Sequence, residues 1–244
     1  MRITIALLIA VLICGCQHQA RPVSKSNQAP VRLLEGMGNV HHPVSTSNPE
    51  AQRYFDQGLA LIYAFNHDAA VRSFRKAQQL DPNLATAYWG EALAIGPNYN
   101  LPEIDREAIK QAVTAVQRAQ QLAAGATPAE QAYISAVSKR YSEDPKADLQ
   151  QLARDYKNAM GDVARRYPDD LDAATLYAES AMNLRPWKLW TSDGKSEEGT
   201  EEIVAVLKGV LKRNPQHTGE PLLHPCGGGI AGAAAGADLR GSSW

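Results

Sequence analysis

The chain has 244 residues, a formal net charge of -1 at pH 7 and 44% hydrophobic residues. This length and apolar fraction suffice for one or two modest domains, each with a hydrophobic core. The near-zero charge argues against binding to nucleic acid or to an anionic membrane surface, because both need an excess of basic residues. Aromatic residues are few, at 7%, and Ala, Leu, Gln, Glu, Lys and Arg are common, which favours helix.

The first element is an apolar run that follows a short basic start. Met1 and Arg2 precede residues 3–13, which are apolar except for Thr4. These eleven residues are too few to cross a bilayer as a helix, which takes about 20. They suit the hydrophobic region of a cleaved secretion signal. The sequence therefore predicts a signal peptide over residues 1–15.

The signal region ends on Ile13-Cys14-Gly15-Cys16. This tetrapeptide resembles the bacterial lipobox, and the resemblance implies that Cys16 is diacylated and becomes the first residue of the mature protein. An ordinary signal peptide with an incidental cysteine is the alternative. An Asp directly after the lipidated cysteine would resemble an inner-membrane retention signal. This chain has Gln17 there, which favours the outer membrane in a Gram-negative source. Only Cys226 then remains, so no intramolecular disulfide is expected.

Residues 16–46 are polar, contain three prolines and show no sustained period, which predicts a flexible tether behind the lipidated cysteine. The tether contains His41 and His42. A metal pair is conceivable, but adjacent histidines without a nearby Cys or carboxylate usually face solvent. The sequence therefore predicts neither a metal site nor a cofactor.

Residues 47–219 are predicted to form the helical domain. The run Ser47-Asn48-Pro49-Glu50 combines an N-cap oxygen, a first-turn proline and a glutamate placed for a capping box. Numbered from Ala51, the next stretch resembles the 34-residue tetratricopeptide unit, although Gln57 and Leu61 fill two places atypically. The helix-packing places are taken by Tyr54, Gly58, Ala70, Phe74, Ala77 and Pro82. Small residues let two antiparallel helices approach, Phe74 fills the gap, and Pro82 prevents continuation.

Further caps and proline stops predict more helices along the domain. Asp68 is expected to cap the second helix, Thr127 and Glu130 form another capping box, and Thr200 is expected to cap the last helix. A third helix is predicted to start at about residue 85. Later helices are predicted over residues of about 103–123, 128–141, 148–167, 171–184 and 200–213. The expected fold is all-α, with tetratricopeptide-like antiparallel hairpins stacked as a short α-solenoid.

Residues 220–244 differ from everything before them. They are dominated by Gly and Ala, have no helical period and lack the Lys and Ser/Thr of a phosphate-binding loop. Reading their degenerate codons one base later permits Asn-His-Tyr-Tyr-Ile-His-Ala-Val-Glu-Ala-Ser, the start of an amphipathic helix. We therefore expect an irregular, out-of-frame tail.

Several motifs resemble a family of bacterial secreted tetratricopeptide lipoproteins whose members have no assigned activity. The resemblance spans residues 40–219 and includes the shifted reading of the tail; its motifs are His42-Pro43-x-Ser45, the stretch 54–82, Tyr88-Trp89-Gly90 and Asn183-Leu184-Arg185-Pro186-Trp187. It implies a longer parent that lost its C-terminal repeats. The last helix would then expose an apolar stripe, through which the chain could self-associate: Ile203, Val206, Leu207 and Val210.

These features favour a membrane-tethered scaffold for protein–protein interaction over an enzyme. The face lined by the first helix of the first hairpin would contact an unknown protein or peptide, or else pack against another helix; its residues are Gln52, Phe55, Leu59, Ile62 and Tyr63. An inactive remnant of a longer lipoprotein is one alternative. An envelope enzyme is the other, and it is disfavoured because no nucleophile elbow, HExxH or clustered His/carboxylate motif is found.

Overall fold

The connections between the helices of the domain range from three residues (64–66) to seventeen (183–199). The computed structural model describes residues 31–38, 40–217 and 222, which all belong to one compact unit. The described part contains eight α-helices and no strand: α1 (Pro49–Tyr63), α2 (His67–Leu80), α3 (Ala85–Ile95), α4 (Arg106–Leu122), α5 (Pro128–Val137), α6 (Leu149–Arg166), α7 (Leu171–Met182) and α8 (Thr200–Arg213). The predicted all-α class is therefore confirmed.

Side-chain caps set most of the helix starts. Thr127 and Glu130 form the predicted capping box of α5. The cap of α1 is Asn48, whose side chain accepts from the amides of Glu50 and Ala51. Two predicted caps are wrong: Asn66 rather than Asp68 caps α2, and Thr200 is the first residue of α8 rather than its cap.

Helices that are adjacent in sequence pack against each other, as stacked hairpins require. Phe74 of α2 is fully buried, as predicted, against both α1 and α3. A Cβ atom added to Gly58 would lie 2.7 Å from the Phe74 ring, so only glycine permits this approach. Among the other predicted packing positions Tyr54, Ala70 and Ala77 are buried, and Pro82 lies in the exposed turn after α2. The tetratricopeptide register itself stays a prediction.

The predicted tether is wrong from Val31 onward. Residues 31–38 and 40–46 lie on the helices, where Val31, Leu33, Val40 and Val44 pack against the buried cores. The polarity of this segment suggested solvent exposure, but hydrogen bonds to helix side chains satisfy its backbone. Residues 1–30, with the predicted signal peptide and Cys16, lie outside the described residues.

The predicted apolar stripe on α8 is not exposed. Ile203, Leu207 and Val210 are 3%, 0% and 2% exposed, and Val206 is half-buried. Ile203, Val206 and Leu207 pack in a cluster with Met182 of α7, Leu189 and Leu222. Val210 is buried outside that cluster, so self-association through this stripe loses its basis. Leu222 is the only described residue of the predicted out-of-frame tail, and the remainder of that tail lies outside the description.

None of the helices described is long and apolar enough to cross a membrane.

Candidate functional site on the odd-numbered helices

The odd-numbered helices contribute a continuous row of aromatic side chains to one face. Phe55 of α1 stacks on Trp89 of α3 with ring centroids 6.2 Å apart, and Trp89 meets Tyr133 of α5 edge to face at 5.2 Å. All three rings are buried. Asp170 and Asp172, at the start of α7, continue the row with two carboxylates. The row is therefore aromatic at α1, α3 and α5 and ends in two carboxylates at α7.

The residues predicted to meet a partner from α1 are mostly part of the core. Phe55, Leu59, Ile62 and Tyr63 are between 0% and 4% exposed, so they are not open to a partner in this structure. Packing against other helices, the alternative reading, accounts for these four residues. Gln52 is half-buried and contacts an extended segment of the same chain, so its contact with a partner stays a prediction.

That segment is the stretch from Val31 to Thr46, which we call the N-terminal strap. From position 40 to 47 its exposure alternates: Val40, His42, Val44 and Thr46 are half-buried, and the residues between them are exposed. A period of two is typical of an extended chain that lies with one side on a surface. Between positions 40 and 46 the strap therefore partly buries every second side chain against the helices.

Two glutamines of α1 bind the strap through its backbone. Gln52 Oε1 accepts from the amide of Val44 at 3.0 Å, and Gln52 Nε2 donates to the carbonyl of His42 at 2.8 Å. Gln57 makes the same pair of bonds further along the strap, accepting from the amide of Leu34 at 2.7 Å and donating to the carbonyl of Arg32 at 3.1 Å. A side-chain amide that pairs with both a backbone N–H and a backbone C=O imitates a neighbouring β-strand.

Acidic side chains hold the strap near its end. The amide of Ser45 donates to Glu130 Oε1 at 2.7 Å and its hydroxyl donates to Glu130 Oε2. Glu130 is 3% exposed, and the same carboxylate accepts from the amide of Thr127 in the α5 capping box. The amide of His42 donates to Asp56 Oδ1 at 3.1 Å. Buried carboxylates are stable only when they are hydrogen-bonded in this way.

The side chain of His42 reaches the carboxylates of α7. Its Nδ1 lies 2.8 Å from Asp172 Oδ2, and its ring meets Tyr133 edge to face with centroids 5.7 Å apart. Tyr63 donates to Asp172 Oδ1 at 2.5 Å, and Tyr133 donates to Asp170 Oδ2 at 2.7 Å. His42 thus joins the strap to α5 and α7. The expectation that it faces solvent is wrong, because its side chain is 14% exposed; the side chain of His41 is 62% exposed.

Burial and charge shift the pKa values of these groups in opposite directions. Burial alone lowers the pKa of His42, but its hydrogen bond to Asp172 and the nearby carboxylates outweigh burial and raise the pKa. Burial alone raises the pKa of Asp172, but interactions with His217, His42 and Tyr63 hold the pKa well below its usual range. Burial, together with the aspartates, raises the pKa of Tyr63 and of Tyr133, so both phenols stay protonated donors.

His217 completes the cluster from the other end of the domain. It follows α8, and its Nε2 lies 3.3 Å from Asp172 Oδ1. Its ring also contacts the ring of Tyr63. Asp172 is therefore the common partner of residues from three distant parts of the sequence. No motif in the sequence marks Asp170 or Asp172 as members of such a cluster.

No model of a known protein family matches this chain, and no curated protein sequence matches it.

Proposed function

We propose that this protein is a helical scaffold that binds extended peptide segments on the face of its odd-numbered helices. The paired hydrogen bonds of Gln52 and Gln57 with the strap backbone carry the proposal. Such bonds recognise an extended main chain whatever its side chains are. In this view the strap occupies the face in cis, in the place of a partner segment.

The surroundings of the strap indicate which partner segment would fit. Positions equivalent to Val40, His42 and Val44 are half-buried against the helices, so the segment would have an apolar, a polar and an apolar side chain at these alternate positions. The carboxylates of Asp56, Glu130 and Asp172 accept from the strap, so this face favours donors and disfavours acidic side chains. The preferred partner is a neutral or basic extended segment with a Ser or His at the acidic end of the face.

A peptide with the sequence of residues 31–46 tests the proposal when it is labelled and added in trans to the full chain. We expect weak binding to the unmutated protein, because the strap competes at high effective concentration. Val44→Asp should release the strap from the apolar core beneath it and strengthen peptide binding by at least about tenfold, since more of the face is then free. Ser47→Asp, at an exposed position just beyond the strap, is the matched control and should leave binding unchanged.

The same titration contains the outcome that would refute the proposal. Gln52→Ala combined with Val44→Asp removes both backbone contacts of Gln52 and should weaken trans binding again. Circular dichroism must show native helix content in each variant. If Val44→Asp binds no peptide, or if it binds the peptide equally with and without Gln52, the face does not recognise extended chains.

We further propose that the protein is exported and anchored in the cell envelope through a lipidated Cys16. The short apolar run over residues 3–13 and the tetrapeptide Ile13-Cys14-Gly15-Cys16 support this proposal. The strap would then be the part of the domain nearest in sequence to the anchor.

A further inference from the structure

We infer that the carboxylate–imidazole cluster at the start of α7 binds a divalent transition-metal cation of the zinc class. His42, Asp170 and Asp172 each offer one ligand atom, and these atoms all lie within 4.8 Å of one another. Ligands at the usual metal distance of about 2.0–2.2 Å lie some 3–4 Å apart, so small side-chain movements would close the set around one ion. His42 belongs to the strap, so this inference requires a docked strap, but it does not require that a partner segment can replace the strap.

The donor set matches the charge and the chemistry of such an ion. Two aspartates supply two negative charges, which balance a divalent cation, and the formal charge of a neutral imidazole is zero. Imidazole is a ligand for Zn²⁺ and its transition-metal neighbours, whereas Ca²⁺ and Mg²⁺ prefer sites built from oxygen alone. His217 lies outside this set of three and contacts Asp172 through its other oxygen, with Nε2 3.3 Å from Oδ1. The protein would therefore supply one imidazole and two carboxylates, and water would complete the coordination of the ion.

Neighbouring groups hold the carboxylates in place, as they do around known metal centres. Tyr63 donates to one oxygen of Asp172, and Tyr133 donates to Asp170 Oδ2. The other oxygen of Asp170 accepts from the amide of Ala173 as the N-cap of α7. Each carboxylate is thus oriented by a donor outside the ligand set, which lowers the entropic cost of gathering the ligands.

The cluster is shielded from water but not sealed. The side chains of His42, Asp172 and His217 are 14%, 15% and 9% exposed. An ion could therefore enter from solvent. Bulk water would reach only part of its coordination shell and would not displace every protein ligand. A cation would replace the direct hydrogen bond between His42 and Asp172, because both atoms would then point to the metal.

Zinc titration of the full chain, untagged and stripped with EDTA, tests the inference by isothermal calorimetry. We expect one site of micromolar or stronger affinity, and a reduction of at least tenfold in His42→Gln and in Asp172→Asn, which is nearly isosteric. The sequence supplies matched controls beside two of the ligands: His41→Gln and Asp169→Asn change neighbouring residues that lie outside the cluster. Both controls should bind zinc like the unmutated protein.

A second readout separates a metal site from a purely hydrogen-bonded cluster. Co²⁺ bound to nitrogen and oxygen ligands should give visible absorption bands that His42→Gln removes and His41→Gln retains. Failure of the unmutated chain to bind zinc at micromolar concentration would overturn the inference. The inference would also be overturned if a ligand variant and its neighbouring control lost zinc binding equally, or if neither lost it. In both cases zinc would bind elsewhere.

Discussion

Phe74 and two glycines determine how closely the first three helices approach. The Phe74 ring lies against Gly58 of α1 and Gly90 of α3, with no room for a Cβ atom at either position. The ring also meets Phe55 edge to face with centroids 5.5 Å apart. This contact is the centre of the hydrophobic core beneath the strap. Its geometry is therefore sensitive to a single methyl group.

Gly58→Ala and Gly209→Ala should change stability in opposite directions, although they are the same substitution in the middle of a helix. At Gly58 the new methyl meets the Phe74 ring at 2.7 Å, and overpacking should lower the free energy of unfolding by about 1–3 kcal/mol. At Gly209 in α8 the methyl meets nothing within 4 Å, and the higher helix propensity of Ala should raise stability by about 0.5–1 kcal/mol. Urea unfolding measures both values. Phe74→Leu should cost less in the Gly58→Ala background than alone, and additive costs would show that the two residues do not interact.

The packing of Phe74 could be predicted from sequence because its partners lie on neighbouring helices and follow a local pattern. Gln57 is different. It fills a place in the repeat pattern atypically, and the reason lies outside that pattern, in its bonds to Leu34 and Arg32. The atypical Gln57 was therefore the one feature of the local sequence that indicated the strap contacts. The sequence alone does not say what such a residue binds.

The helices and the strap differ in how much of their structure is encoded locally. The predicted bounds of α4 to α8 lie within four residues of those observed, because caps, prolines and apolar periodicity act within a few residues. The strap was missed because its stability comes from side chains of α1, α5 and α7, more than 80 residues away in the case of Ser45 and Glu130. The burial of α8 was missed for the same reason, since Leu189 and Leu222 cover it from flanking segments.

Amide hydrogen exchange should show the strap as a docked extended segment. Its contacts with Gln52 and with Gln57 should be lost independently of each other. The amides of Leu34, His42, Val44 and Ser45 donate to helix side chains and should be protected. Gln52→Ala should raise exchange at Val44 by about tenfold, the equivalent of one hydrogen bond of about 1.4 kcal/mol, and leave Leu34 protected. Gln57→Ala should do the reverse. Rapid exchange at all four amides in the unmutated protein would contradict the docked strap.

The proposed envelope location of the whole molecule depends on Cys16, which precedes the described residues. When the protein is expressed in a bacterium and partitioned between detergent and water, we expect it in the detergent phase, because two or three acyl chains contribute about 0.8 kcal/mol per buried CH₂. Cys16→Ser should move it to the aqueous phase. Cys226→Ser removes the other cysteine of the mature chain and should have no such effect. Aqueous partitioning of the unmutated protein would exclude the lipid anchor.

The link between His42 and Asp172 has a consequence for the order of folding. These residues are 130 positions apart, and Tyr63 and Asp172 are 109 apart, whereas the helix pairs that form the core are adjacent in sequence. Contacts between adjacent helices close short loops and form early, whereas contacts across more than a hundred residues form late. The strap emerges from the ribosome before α1, yet its complete binding surface exists only once α7 has joined the stack. We therefore expect the strap to dock last, so that the face of the odd-numbered helices is uncovered in every folding intermediate that precedes α7.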